Sequence, residues 1–192
     1  PVLFGEKDVL KTIQLLPGIQ GAGEGNSGFF VRGGNADQNL ILLDEATVYN
    51  ASHLLGFFSV FNSDAIKDVN VIKGDMPAQY GGRLSSVLDI RMKEGNSKEC
   101  SGTGSIGLIS SKLTLEAPIV KVKGSFMVSG RRTYVDLFFN LFNIEDLEDS
   151  QLYFYDLNAK ANYRLNDRNR VFVSGYFGRD RFGFEDAFGF DW

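Results

Sequence analysis

Ten residues from Leu157 to Asn166 alternate without a break, with Leu157, Ala159, Ala161, Tyr163 and Leu165 on one side and Asn158, Lys160, Asn162, Arg164 and Asn166 on the other. A helix would scatter these residues around its circumference, whereas a strand sorts them onto two faces, one apolar and one wet. Period two leaves open which face is inside. A soluble antiparallel sheet lays its apolar face on a core, while a transmembrane barrel turns it to lipid and lines its lumen with the polar one. Asn166-Asp167-Arg168-Asn169 is a polar turn, and Arg170 to Arg181 returns with Val171, Val173, Gly175 and Phe177 aligned, completing a hairpin.

Upstream, Ile106 and Leu108 hold even positions but Leu113, Leu115 and Ala117 hold odd ones. A slip of one residue would turn every later side chain over, so a turn is expected near Ile109 to Ser111. A second is expected over Pro118 to Lys123, before a strand from Ser125 to Tyr134 that carries Phe126, Val128 and Gly130 on one face. About five strands in a meander result. Composition marks where this regime starts. Cut after residue 99, the first part holds 8 aromatic residues and the second 17, while acidic side chains stay at 12 on each side. The polar stretch Lys93 to Lys98 reads as the linker.

Residues 1–95 read as a small α+β unit. Asp8 can cap a helix whose apolar positions Val9, Leu10, Ile13 and Leu16 share a face, with Pro17-Gly18 ending it. Phe29-Phe30-Val31 reads as a short strand, Leu40 to Leu43 and Val69 to Ile72 as strands covered on both faces, Ala51 to Phe61 as weakly helical, and Val87 to Ile90 as a further strand. Gly-rich loops join them.

Searches for chemistry return no site. Gly23-Glu-Gly25-Asn-Ser-Gly28 has the letters of a dinucleotide fingerprint, but it follows a helix and opens a strand, the reverse of what pyrophosphate binding needs. His53 and Cys100 are each the only residue of their kind, so no zinc spacing exists. Glu145, Asp146, Glu148 and Asp149 lack the alternation of a calcium loop and read as a solvated acidic segment. Ser85-Ser86 and Ser110-Ser111 have no neighbouring base. No catalytic residue, metal or cofactor is expected, and the reading is of a non-enzyme. A net charge of −4 offers no basic footprint for nucleic acid. No apolar run reaches ~18 residues, which excludes a transmembrane helix and leaves transmembrane strands open.

Four segments together resemble the plug domain of TonB-dependent outer-membrane receptors, in order and spacing: Phe30-Val31-Arg32-Gly33-Gly34; Leu42-Leu43-Asp44; Val69 to Gly74; and Pro77-Ala78-Gln79-Tyr80-Gly81-Gly82-Arg83 through Ile90. Leu115-Glu-Ala-Pro118-Ile119 is similar to that family's first periplasmic turn, and Ser129-Gly-Arg131-Arg132-Thr-Tyr134 to the strand after it. Asp44 is followed by Glu45 where the family has glycine, so that turn is expected to differ.

The resemblance implies an α+β plug of small mixed sheet and short helices over residues 1–95, then antiparallel hairpins over 96–192 from the start of a roughly 22-stranded β-barrel. It places Asn166 to Asn169 at a periplasmic turn and Val135 to Tyr155 in an extracellular loop. It implies the outer membrane of a Gram-negative bacterium and a plug that gates uptake of a glycan, peptide or metal chelate. The implied partners are TonB, through a segment absent from this chain, the rest of the barrel, outer-membrane lipid and a surface lipoprotein. The chain begins at Pro1 without an initiator Met and reads as an internal piece of something longer, whose unpaired strands would drive a non-native dimer in water.

Ligand-contact candidates are Glu24 and Asn26 in the first loop and Tyr49, Asn50, His53, Phe57 and Phe58 in the next, because aromatic faces flanked by amides suit sugars and ring-bearing solutes. For Phe57 and Phe58 a place in the core competes evenly. Arg32 and Arg83 could pair with carboxylates of the barrel wall or serve local carbonyls. The competing reading of the whole is a soluble α+β adhesion module recognising carbohydrate or protein.

Overall fold

The computed structural model describes residues 2–3, 6–23, 26–134, 151–184 and 188–191, and by internal contacts these fall into two units, residues 7–93 and residues 94–192 joined by 2–6. Short strands β1 (Val2–Leu3) and β2 (Glu6–Lys7) precede α1 (Val9–Ile13). Asp8 caps α1 as expected. Its Oδ1 accepts the Lys11 N–H at 3.0 Å and its Oδ2 accepts the Ser59 N–H at 2.7 Å, so one buried carboxylate ties the helix start to a distant strand. Leu10 and Ile13 fill the interior, but α1 ends before Leu16, which is exposed. The Leu15 and Leu16 amides bond three residues back and Pro17 disfavours a helical residue before it, so the last turn tightens and stops.

Strand β3 (Ile19–Gly21) pairs antiparallel with β4 (Phe29–Val31). The Gly-rich segment therefore lies between two strands, not after a helix, and opens no helix either. A four-stranded mixed sheet forms the centre, in the order β6 (Ala46–Thr47), β5 (Asn39–Leu43), β10 (Ser86–Met92), β9 (Ile66–Ile72). Strand β10 runs parallel to β5 and antiparallel to β9. Val87, Leu88 and Ile90 have no exposed surface, and β5 is covered on both faces. Strand β9 is not: it forms the sheet edge and Val69, Val71 and Ile72 are only half-buried.

The weak helix expected over 51–61 is absent. In its place β7 (Ser52–His53) and β8 (Phe58–Ser59) pair across a 3-10 turn at Leu54–Gly56. Leu54 and Leu55 have φ of 48° and 57°, a left-handed backbone that a right-handed helix cannot include. The β5–β6 turn keeps a two-residue form despite the missing glycine, since Leu43 pairs with Ala46. Asp44 and Glu45 both adopt positive φ, 47° and 72°, the primed geometry that matches strand twist. Asp44 Oδ1 accepts the Met92 N–H and steadies the turn against β10.

The second unit is one antiparallel meander of β11 (Ser101–Ile106), β12 (Ser110–Val120), β13 (Gly124–Thr133), β14 (Gln151–Arg164), β15 (Arg170–Phe184) and β16 (Phe188–Asp191). The first turn falls at Gly107 to Ile109, closed by the Gly107 N–H on Ser110 O, slightly before the expected place. Pro118 stays within β12 opposite Ser125, a register shift follows it, and the turn is only Lys121 to Lys123. At Asn166 the side-chain Oδ1 accepts the amides of Arg168 and Asn169 and makes the polar turn. Strand β14 takes in Gln151 to Tyr155, the end of the expected loop; residues 135–150, with the acidic cluster, lie outside the described residues.

Candidate functional site

The six-stranded sheet gives the two sides of the alternation different exposure. Along β14 the polar side chains Asp156, Asn158, Lys160 and Asn162 are buried, while Leu157 is 46% exposed. Register extends the apolar side across four strands: Leu113, Gly130, Leu157 and Phe177 form one row, and Ala117, Phe126, Ala161 and Val173 another. Leu113, Phe126, Val173 and Phe177 are exposed as well. A soluble sheet would bury these rows and wet the other face. The reverse arrangement, seen along β12 to β14, resembles the pattern of a barrel wall, in which apolar residues face lipid and polar residues the lumen.

The buried side carries polar pairings of its own. Arg131 donates to Asp156 Oδ2 through Nε at 2.8 Å and Nη2 at 2.5 Å, and neither side chain has exposed surface. The Arg131 guanidinium also lies 4.8 Å from the Phe154 ring centre. Thr114 and Ser129 hydroxyls share a hydrogen bond of 2.6 Å.

In the first unit, two of the sequence-selected loops meet. The Ser27 N–H donates to Gly56 O, and Asn26 Oδ1 accepts the Gly28 N–H. Gly56 has φ +108°, and a Cβ there would sit 2.9 Å from Asn26 Oδ1, so only glycine allows both the turn and this approach. Gln14 Nε2 holds the same loop through Asn26 O and Gly28 O. Lys11 Nζ donates to Phe57 O at 2.7 Å and lies 5.9 Å from the Phe58 ring centre. Partial burial holds its ammonium below the ordinary lysine pKa, with Asp8 opposing the shift.

Among the candidates Tyr49 (87% exposed), Asn50 and Phe57 face solvent, Asn26 is half-buried, and Glu24 lies outside the described residues. His53 and Phe58 do not reach the surface. They are buried opposite one another in the β7–β8 pair and form the floor of the loop, because the strand pairing turns both inward. Leu55 is 65% exposed at the tip of this turn, and a leucine beside a glycine carries no sequence signal for exposure. Arg83 donates to the adjacent Gly82 O, and Arg32 packs over Gly74 in a groove of about 360 Å³ that also holds Lys73 and Asp75. Neither arginine pairs with a carboxylate among the described residues. A second cavity of about 480 Å³ opens beside β5 and β10, where Tyr80 OH and Arg91 Nη2 both donate to the buried Asp89 carboxylate. That hydrogen bond raises the Arg91 pKa further.

A unit built on a small mixed sheet is followed along the chain by an antiparallel meander with an exposed apolar side. Residues 4–86 match the family model described as the TonB-dependent Receptor Plug Domain. The chain resembles the siderophore receptor PirA from Acinetobacter baumannii at TM-score 0.64 and 18% identity, covering 94% of this chain and 30% of that one. It resembles PirA from Pseudomonas aeruginosa at 0.63 and 18%, covering 92% and 31%. The copper transporter OprC matches at 0.61 and 15%, covering 91% and 28%. No curated protein sequence matches significantly. The chain thus spans just under a third of the solved structures it matches. Over residues 4–86 the chain is similar to the plug domain of TonB-dependent receptors, and over most of its length it shares the fold of these solved receptors.

Proposed function

We propose that this chain is the plug and the opening strands of a receptor whose plug, residues 1–95, gates energised passage of a nutrient through a roughly 22-stranded barrel begun by residues 96–192. The protein acts as a transporter and not as an enzyme. The observation that supports this best is the pairing of a plug-family domain with a sheet in which β12 to β14 bury polar side chains and expose apolar ones. A barrel that wide would leave an aqueous hole, which a folded globule must fill.

Solute contact belongs to the loop apex, where Tyr49, Asn50 and Phe57 present aromatic faces beside an amide and Asn26 anchors the turn. His53 and Phe58 support that surface from below. The class of solute is a metal chelate, a glycan or a peptide. The names of the structural relatives favour the chelate, and a surface lipoprotein partner would accompany the glycan or peptide. TonB supplies the energy. Arg32 and Arg83 would meet wall carboxylates in the complete receptor, and the isolated chain dimerises through its open strands.

Uptake by cells carrying the full-length receptor tests this reading, with a radiolabelled ferric catecholate, an oligosaccharide and a peptide as probes. Uptake of one probe that disappears when TonB is deleted is the expected result. Equal uptake with and without TonB would overturn it.

A further inference from the structure

The stretch that reads as a flexible linker is fastened at both ends. The Lys93 N–H donates to Ala65 O within the first unit. One residue later, Glu94 O accepts two hydrogen bonds of 2.6 Å within the second, from Ser125 Oγ of β13 and Asn162 Nδ2 of β14. Asn162 Nδ2 also donates to Ser125 Oγ at 2.9 Å, and its Oδ1 accepts from Arg170 Nη2 at 2.8 Å. The same Arg170 nitrogen pairs with the Glu94 carboxylate. Gly95 follows at φ +81°, and a Cβ there would overlap the Phe126 carbonyl, so the backbone lies directly on β13. Ser97 O then accepts the Val122 N–H at 2.8 Å, and Asn96 Oδ1 accepts the amides of Lys98 and Glu99.

This is more fastening than a covalent tether needs. A free linker would be all solvated backbone; here a carbonyl, a carboxylate and a close-packed glycine are all committed to three strands of the wall. Ordering several residues costs about 1–2 kcal/mol each in backbone entropy, which these bonds must offset.

We propose that Glu94 to Ser97 are a mooring, a fixed point on the barrel wall that stays in place while the plug rearranges. This rests on reading the first unit as a gating plug. The moving part is then the chain before Glu94, and passage opens by displacement or local unfolding of residues 7–93 with the stem still attached. Asn162 is the positioning residue at its centre, since its side chain bonds Glu94, Ser125 and Arg170.

Native-state hydrogen exchange on the full-length receptor in detergent micelles tests this without reference to any transported solute. In urea just below plug unfolding, peptides from β5 and β10 should lose protection at least tenfold while those covering Val122 to Phe126 and 94–99 keep theirs. Exchange of 94–99 together with the plug, or ahead of it, overturns the proposal. Asn162→Ala should speed exchange of the 94–99 segment at least tenfold and leave β5, β10 and the Val128–Ala159 region of the β13–β14 ladder unchanged. Unchanged exchange at 94–99 in that variant also overturns it. Gly95→Ala is the harsher variant and is informative only beside Asn162→Ala. Loss of TonB dependence in the uptake assay would instead strike at the gating role, leaving the exchange result intact.

Discussion

Removing the Asp8 side chain exposes how the plug is held together. Asp8 has 1% of its surface exposed and serves two elements at once, capping α1 through the Lys11 N–H and bonding the Ser59 N–H of β8 across 51 residues. Losing an N-cap oxygen costs about 1 kcal/mol. The Ser59 amide would then lie buried without that acceptor, at a further cost of roughly 1–3 kcal/mol. Asp8→Ala should therefore destabilise the plug by about 2–4 kcal/mol. Asp8→Asn retains one good acceptor oxygen and should fall about halfway. Urea unfolding followed by circular dichroism gives both values from the midpoint at constant slope. A loss below about 0.5 kcal/mol for Asp8→Ala, the level of an ordinary surface change, would refute the claim that this carboxylate joins helix to strand.

Other consequences follow from single observations. Glu45→Gly relieves a left-handed non-glycine residue and should raise the urea stability of the plug by about 1 kcal/mol, because αL costs roughly 1–2 and glycine returns part of that in entropy. Asp156→Ala removes two charge-assisted hydrogen bonds from the fully buried Arg131 guanidinium, and the sheet should lose about 3–5 kcal/mol, read from the melting of heat-modifiable mobility in gels. Lys11 has a lowered pKa when folded, so between that value and 10.5 the unfolded chain binds more protons and plug stability should rise with pH; Lys11→Met should abolish that rise in urea midpoints taken across the alkaline range. Tyr49→Ala and Phe57→Ala each remove an exposed aromatic face and should weaken solute binding severalfold by titration calorimetry, while leaving the urea midpoint within about 0.5 kcal/mol of wild type.

Much of the architecture is written in local pattern. The Asp8 cap, the apolar run of β5 and the alternation of β14 each follow from short-range chemistry, and each is where the sequence places it. What the pattern lacks is direction: Leu157 to Asn166 reads identically with either face inside, and only the packing of β13 and β14 shows the polar side buried. The segment around Leu54 failed for another reason, since leucine favours helix and nothing local signals that two in a row adopt positive φ to bring Gly56 against Asn26. Likewise Val69 to Ile72 has the composition of a central strand but lies at the sheet edge, a matter of topology. The pairing of His53 with Phe58, which sends both inward, depends on a strand register no spacing reveals. The stem at Glu94 looked like a linker because its partners, Ser125, Asn162 and Arg170, are remote in sequence.

The central claim is that the second unit presents its apolar face to lipid. Spin labels placed singly at Leu157, Val173, Asn158 and Asn162 of the full receptor in phospholipid bilayers test it by collision with oxygen and with a water-soluble nickel chelate. Labels at 157 and 173 should collide mainly with oxygen, and those at 158 and 162 should show neither oxygen enrichment nor lipid-like mobility. Nickel-accessible labels at 157 and 173, with oxygen-rich ones at 158 and 162, would contradict the account.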